Sequence, residues 1–240
     1  MVEVATPARR ATSPIVIGDS STSPLDLNSG STVNLEHMST THAPNHHARY
    51  PRFAGLGGLI AGIGFTIGRS DDARLACELT ALQPRDRVVD VGCGPGVAAR
   101  HAAGLGAYVT GVDPAAVMLR LGRVLSMTSK RVTYVNGAAE SLPLPDESAD
   151  VLWSIASVHH WPDLDAGLAE AHRVLVPGGR FLAMERRTQP EATGHASHGW
   201  SDEQAAAFVD ECAAHGFVEV QAARHQAGAK PVFAVTAIRR

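Results

Sequence analysis

The sequence predicts a doubly wound α/β sheet, and three observations point to it. Short β-branched runs alternate with helical segments along most of the chain. The first run, Val88-Val89-Asp90-Val91, leads straight into a glycine loop, Gly92-Cys93-Gly94-Pro95-Gly96. The last two runs, about 217–222 and 231–238, are separated only by a Gly-containing connection, as in a closing hairpin.

Each element has its own local reason. Leu75, Leu79 and Leu82 share one helical face, which predicts an amphipathic helix from Asp71 to Leu82. Val88, Val89 and Val91 suit a central parallel strand over 87–91. Val97 to Ala103 is the helix that the glycine loop feeds. A second strand covers 108–112, and Pro114 is placed as the first residue of the next helix. That helix carries Val117, Met118, Leu121 and Leu125 on one side, and Val132 to Val135 is the third strand. Val151, Leu152, Trp153 and Ile155 form a continuous apolar run, which predicts a buried fourth strand over 150–156. A helix over 165–175 follows, and Pro177-Gly178-Gly179 turns the chain into a fifth strand, Phe181 to Met184. Ser201 and Gln204 have the spacing of a capping box, and Gly216 is the natural residue after that helix.

The glycine loop carries the chemistry. Glycine takes positive φ without strain and lets a ligand lie against the backbone. The helix behind the loop presents free N–H groups. A dinucleotide fingerprint, G-x-G-x-x-G/A, fits only when counted as Gly94, Gly96 and Ala99. Asp90 decides against it, because a carboxylate two residues before the first glycine is a poor neighbour for a pyrophosphate and a good one for an amino group. Asp113 ends the second strand 17 residues beyond Gly96, where a carboxylate accepts both hydroxyls of a ribose. The ligand these residues suit has an α-amino acid end and a ribose but no phosphate.

With those residues in place, the chain resembles the class I S-adenosylmethionine-dependent methyltransferases, closest to the broad small-molecule group. The patterns GDAExLPFPDxxFD and LPGG of that group read here as Gly137-Ala138-Ala139-Glu140-Ser141-Leu142-Pro143-Leu144-Pro145-Asp146-Glu147-Ser148-Ala149-Asp150 and Val176-Pro177-Gly178-Gly179. The resemblance covers roughly 71–240. It implies a Rossmann-like sheet of seven strands in the order 3-2-1-4-5-7-6, with strand 7 antiparallel. It also implies S-adenosyl-L-methionine as cofactor and a small, partly apolar acceptor methylated at O, N or C. The cofactor set it implies is Asp90, Gly92, Cys93, Gly94, Gly96, Asp113, Pro114, Met118, Gly137, Ala138, Ala139 and Ser154. Met118 suits an adenosine wall or a core position equally. Many members carry an acid at position 138 to accept the adenine amino group. Alanine does not, which leaves the backbone N–H of Ala138 or Ala139 to donate to the ring, with Asn136 as a substitute side chain.

For the acceptor side the candidates are His159 and His160, in the segment after the fourth strand, since histidine titrates in the range a general base needs. Glu185, His195 and His198 are placed near the substrate, while Trp153 and Trp161 are read as packing and Asp163 as a helix cap. A non-catalytic module that binds S-adenosylmethionine for regulation is the alternative reading.

Composition narrows the rest. The 240-residue chain has a formal charge of −3, 5 % aromatic residues and no dense Lys/Arg run, which excludes a nucleic-acid surface. Its three cysteines form no CxxC pair, which fits a reducing, cytoplasmic setting and gives no metal site. The first 45 residues hold 13 Ser/Thr and no periodic apolar pattern, so 1–48 is expected to be a disordered tail, with Met38 a possible later start and its His42, His46 and His47 solvated. Phe53 to Ile67 has no charge and five glycines. At 15 residues it is too short for a bilayer span of about 20, so 49–70 is read as an apolar flap or lid without stable membrane insertion. The methyltransferase-like domain is 71–240, and the oligomeric state stays open.

Overall fold

In the computed structural model, which describes residues 69–189 and 198–240, the apolar runs of the sequence form the middle of one sheet. The tail 1–48, the flap up to residue 68 and His195 lie outside the described residues. The elements are α1 (Ser70–Leu79), β1 (Arg87–Val91), α2 (Val97–Gly104), β2 (Tyr108–Asp113), α3 (Ala116–Leu125) and β3 (Val132–Asn136). Then come β4 (Ala149–Ile155), a 3-10 turn (Val158–His160), α4 (Leu164–Val174), β5 (Leu175–Arg186), α5 (Asp202–Ala214), β6 (Phe217–Ala227) and β7 (Lys230–Arg239). The seven strands lie in the order β3-β2-β1-β4-β5-β7-β6, with β7 antiparallel to both neighbours, as the resemblance implies.

Alternation along the buried strands divides the core between the two faces of the sheet. Leu152, Phe181 and Ala183 join Leu168 of α4 and Phe208 of α5 in one cluster. Val88, Trp153, Leu182 and Met184 join Leu75 of α1 and Ala99 of α2 in the other. Trp153 is fully buried and Trp161 nearly so, which makes both packing residues. The strand order reverses between β1 and β4, so the carboxyl ends of β1, β2 and β4 open onto a common crevice.

The local caps follow the sequence. Asp163 accepts from the Ala166 N–H at 3.0 Å, and Ser201 and Gln204 close both bonds of the capping box. Four boundaries differ. α1 stops at Leu79 because Thr80 Oγ1 donates back to the Ala76 carbonyl at 2.7 Å and Ala81 turns the chain with φ 45°. Pro114 is not helical; α3 begins at Ala116, because the Asp113 carboxylate holds the Ala115 N–H and postpones the first turn. Pro177-Gly178-Gly179 is a bulge inside β5, not a turn before it. Ala149 pairs with Leu175 and Val151 with Arg180, so two steps on β4 face five on β5. β6 runs on to Ala227, because Ala227 pairs with Lys230 across a two-residue turn led by Gly228 at φ 63°.

The segment 140–148, the most recognisable by pattern, is held by one arginine. Arg173 of α4 donates to the carbonyls of Leu144 (2.9 Å) and Leu142 (3.1 Å), to Glu170 (2.7 Å) and to Asp146 (2.6 Å). Glu170 in turn accepts from the Leu142 N–H at 2.7 Å. These carboxylates hold the guanidinium above its ordinary pKa. Arg173→Ala is expected to cost about 1–2 kcal/mol of stability, since it leaves two carbonyls and Glu170 to water. Urea denaturation of the full chain checks it, with an unchanged midpoint as the contrary result.

Candidate functional site

Asp90 is the penultimate residue of β1, paired with Gly111 of β2 and Trp153 of β4, so its carboxylate emerges at the floor of the crevice. Gly92, Gly94 and Gly96 all take positive φ, at 72°, 52° and 74°. Two of them are also sites of close approach. A Cβ on Gly92 would fall on the Ser157 hydroxyl, and one on Gly96 on the Tyr134 hydroxyl. Tyr134 also packs against Gly122 of α3 and bonds Ser126 at 2.9 Å. At Gly94 a Cβ would meet nothing within 4 Å, so this is the open face of the loop. The loop is tied down by Gly92 N–H and Cys93 N–H, which donate to the Val112 carbonyl at 2.8 and 3.1 Å.

Asp113 links the glycine loop to the segment after β2. One carboxylate oxygen accepts from the Gly94 N–H (2.9 Å) and the other from the Ala115 N–H (2.8 Å). Burial raises its pKa, against the pull of those two donors. Each oxygen keeps a lone pair for a further donor.

The cleft above the loop is lined by Arg69, Asp72, Asp90, Gly92, Pro95 and Ile155. Asp90 Oδ2 and Asp72 Oδ1 are buried and have no hydrogen-bond partner among the described residues. Burial pushes the Asp90 carboxyl up to about 7, while the Trp153 indole draws it down. Asp72 Oδ2 pairs with Lys230 at 2.8 Å. Two buried carboxylates, each with an unsatisfied oxygen, call for a cationic donor. Asp72 and Arg69 were invisible as site residues in the sequence, because α1 comes over the loop only in the fold.

The remaining cofactor candidates divide. Cys93 is buried, and its thiol pKa lies well above the ordinary value through burial, so it fills the loop rather than reacting. Met118 is buried in the first turn of α3, and Pro114 is exposed beside it. Gly137 is closed in, since a Cβ there would stand 2.6 Å from Pro143 Cδ. Ala138 bridges to Ser141. Ala139 points into the core cluster, so only its backbone is left for a ligand. The Asn136 amide nitrogen donates to the carbonyls of Asp113 (3.2 Å) and Pro114 (3.1 Å), bonds that engage its donor and not its acceptor oxygen. Ser154 is wholly buried in β4, and its hydroxyl has no hydrogen-bond partner among the described residues.

On the acceptor side, β4 leads through Ser157, which touches Gly92, into the Val158–His160 turn. His159 is largely buried and His160 exposed. Glu185 does not reach out to a substrate. It is 1 % exposed and accepts from His159 Nδ1 at 2.8 Å and from the His159 N–H at 3.4 Å. Both bonds hold His159 against β5. His198 completes a cluster, its ring centroid 5.3 Å from His159 and 5.5 Å from His160, which are themselves 4.0 Å apart.

The sequence over residues 89–183 matches a family described as a methyltransferase domain. Residues 89–183 are similar to the class I S-adenosylmethionine-dependent methyltransferases. The class takes S-adenosylmethionine as its cofactor. The matched span of the domain runs from β1 into β5 and so contains the glycine loop, Asp113 and the histidine turn. The domain is similar to a demethylmenaquinone methyltransferase of Tropheryma whipplei (strain Twist), with 34% identity over 114 residues, 47% of this chain and 46% of that one. It is similar to a 27-O-demethylrifamycin SV methyltransferase of Amycolatopsis mediterranei (strain S699), with 31% identity over 172 residues, 65% and 63% of the two chains. The chain spans about half the length of the first curated relatives it matches. A solved S-adenosylmethionine-dependent methyltransferase from Aquifex aeolicus shares the fold of the domain, with TM-score 0.63 and 16% identity over 76% of this chain and 98% of that one. Among the described residues, no helix is long and apolar enough to cross a membrane.

Proposed function

We propose that this chain transfers a methyl group from S-adenosylmethionine to a small, partly apolar acceptor. The observation that carries the reading is the pair of unsatisfied buried carboxylate oxygens, on Asp90 and Asp72, at the rim of a glycine loop whose far side ends in Asp113. Asp90 would take the amino group, with Asp72 beside it. Gly92, Gly94 and Gly96 would admit the ligand against the backbone, and Asp113 would accept from the ribose. Gly137, Ala138 and Ala139 would border the base through their backbone, with Met118 and Pro114 on its other side.

When bound, the cofactor supplies a methyl carbon already activated by a sulfonium. The protein's work is alignment and exclusion of water, which for well-oriented reactants lowers the barrier by about 7–11 kcal/mol. The histidine cluster beyond Ser157 would hold the acceptor and assist loss of its proton where it has one. Glu185 favours His159 over the exposed His160 for that task, because an imidazole with Nδ1 bonded to a carboxylate is fixed in tautomer and orientation. The names of the two curated relatives denote methylation of demethylmenaquinone and of an oxygen of a demethylrifamycin, so a quinone and an oxygen acceptor both fit. A cytoplasmic location and absence of nucleic-acid partners belong to the same reading.

S-adenosylmethionine or S-adenosylhomocysteine is expected to raise the melting temperature, and NAD to leave it unchanged. At about 100 times its dissociation constant a ligand stabilises by about 2.7 kcal/mol. A thermal scan of the full chain with each ligand tests this. A shift with NAD alone would overturn the assignment, and binding without turnover across an acceptor screen would favour the regulatory module.

A further inference from the structure

We infer that His159, His160 and His198 form a binding site for one divalent transition-metal ion, with Glu185 as its outer support. The cysteine spacing gives no metal site, and no sequence motif joins these histidines: 38 positions separate His160 from His198. The fold brings them together. One ring nitrogen from each lies within 4.8 Å of the other two. Zinc held by imidazoles at about 2.0–2.1 Å in tetrahedral geometry needs nitrogen separations of about 3.3–3.4 Å. The cluster must therefore close by no more than about 1.5 Å, within reach of side-chain rotation at an exposed His160 and a half-buried His198.

The second observation is independent of the first. Metal-ligating histidines almost always donate their other ring N–H to a carboxylate, carbonyl or water. His159 does so: Glu185, a fully buried carboxylate 26 residues away, accepts from Nδ1 at 2.8 Å. The other cluster of ligand-type groups among the described residues, Asp165, Glu211 and His215, holds one histidine and two carboxylates. It lies at the surface, with the Asp165 side chain 70% exposed and His215 Nδ1 bonded to the Glu211 carbonyl.

Three imidazoles suit zinc, copper, nickel or iron, and they leave a coordination position open. The open position would take an acceptor oxygen, whose pKa the ion lowers so that its proton passes to bulk water before methylation. Ionisation at the ion would thus replace proton abstraction by an imidazole. This role rests on the methyl-transfer reading; metal binding itself does not.

The test uses metal-free full-length protein titrated with Zn²⁺ by calorimetry, and with Co²⁺ by visible absorption. One equivalent per chain is expected, with the intense d–d bands of a tetrahedral nitrogen site. Glu185→Gln should weaken binding about 10–100-fold, and His160→Ala at least as much. His160 is exposed, so its variant folds even if His159→Ala does not. His215→Ala, and a variant lacking His42, His46 and His47, should bind as the wild type does. Absence of stoichiometric binding overturns the site, as does equal binding by His160→Ala and His198→Ala chains, or loss of the metal with the tail histidines. Cofactor binding is measured separately on the metal-free protein, so failure there removes the methyl-transfer reading and leaves the metal result standing.

Discussion

Cofactor affinity is expected to rise about tenfold per pH unit between pH 5 and 7, level off, and fall again above pH 8. The Asp90 carboxyl is pushed up to about 7 by burial, so below that pH the free protein holds it protonated. An ammonium group is bound only by the ionised form, so the apparent dissociation constant scales inversely with the ionised fraction. An α-amino group itself titrates near about 7.7–8.0, which sets the upper limit. Binding at pH 6 should therefore release close to one proton, measured by titration calorimetry in buffers of different ionisation enthalpy. Asp90→Asn removes both the pH slope and most of the affinity.

The same variant should be more stable than wild type without ligand at pH 8. Asp90 has a folded pKa above its unfolded value of 3.8, so the unfolded chain gives up this proton first. Stability from this group is fully present below pH 3.8 and declines as pH rises toward 7. The loss is on the order of 4 kcal/mol, which asparagine avoids. A flat affinity profile from pH 5 to 7, or an Asp90→Asn chain that binds as wild type does, would contradict the role given to Asp90.

Asp113→Ala should raise the cofactor dissociation constant about two orders of magnitude or more. Hydrogen bonds to a charged group contribute about 1.5–3 kcal/mol each, and two ribose hydroxyls are at stake. The substitution also orphans the Gly94 and Ala115 N–H groups, at a stability cost of about 1–3 kcal/mol. Asp113→Asn keeps one acceptor and should fall between. Calorimetry for affinity and urea denaturation for stability check the two effects. Unchanged affinity in Asp113→Ala would remove the ribose role while leaving the structural one.

What the sequence discloses is what local physics decides. Asp163 and Ser201 cap helices within three residues of themselves, and the apolar run of β4 marks a strand buried on both faces. Asp90 and Asp113 are legible because strand, loop and helix succeed one another in the chain. The partners that finish the site come from far away. Glu185 could be placed near the crevice from its strand, but not that it would be buried against His159. Asp72 looks like a helix-start acid until α1 settles over the loop. Boundaries failed where a side chain competed with the backbone, as Thr80 and Asp113 do. The Pro-Gly-Gly segment reads as a turn because the three residues that β5 holds in excess of β4 become visible only when the strands pair.

Tyr134 gives the cofactor loop a second source of control. Its ring stands between Gly96 and Gly122, with no room on either side for a methyl group. Helix α3 and the loop are thus geared together through one phenol: neither shifts toward the ring without displacing the other. Gly122 lies on α3, outside the loop, yet any side chain there would drive the ring into the loop's final glycine and reshape the cradle from behind. For protein engineers, this back wall is a dial on cofactor grip that leaves every ligand-facing group in place.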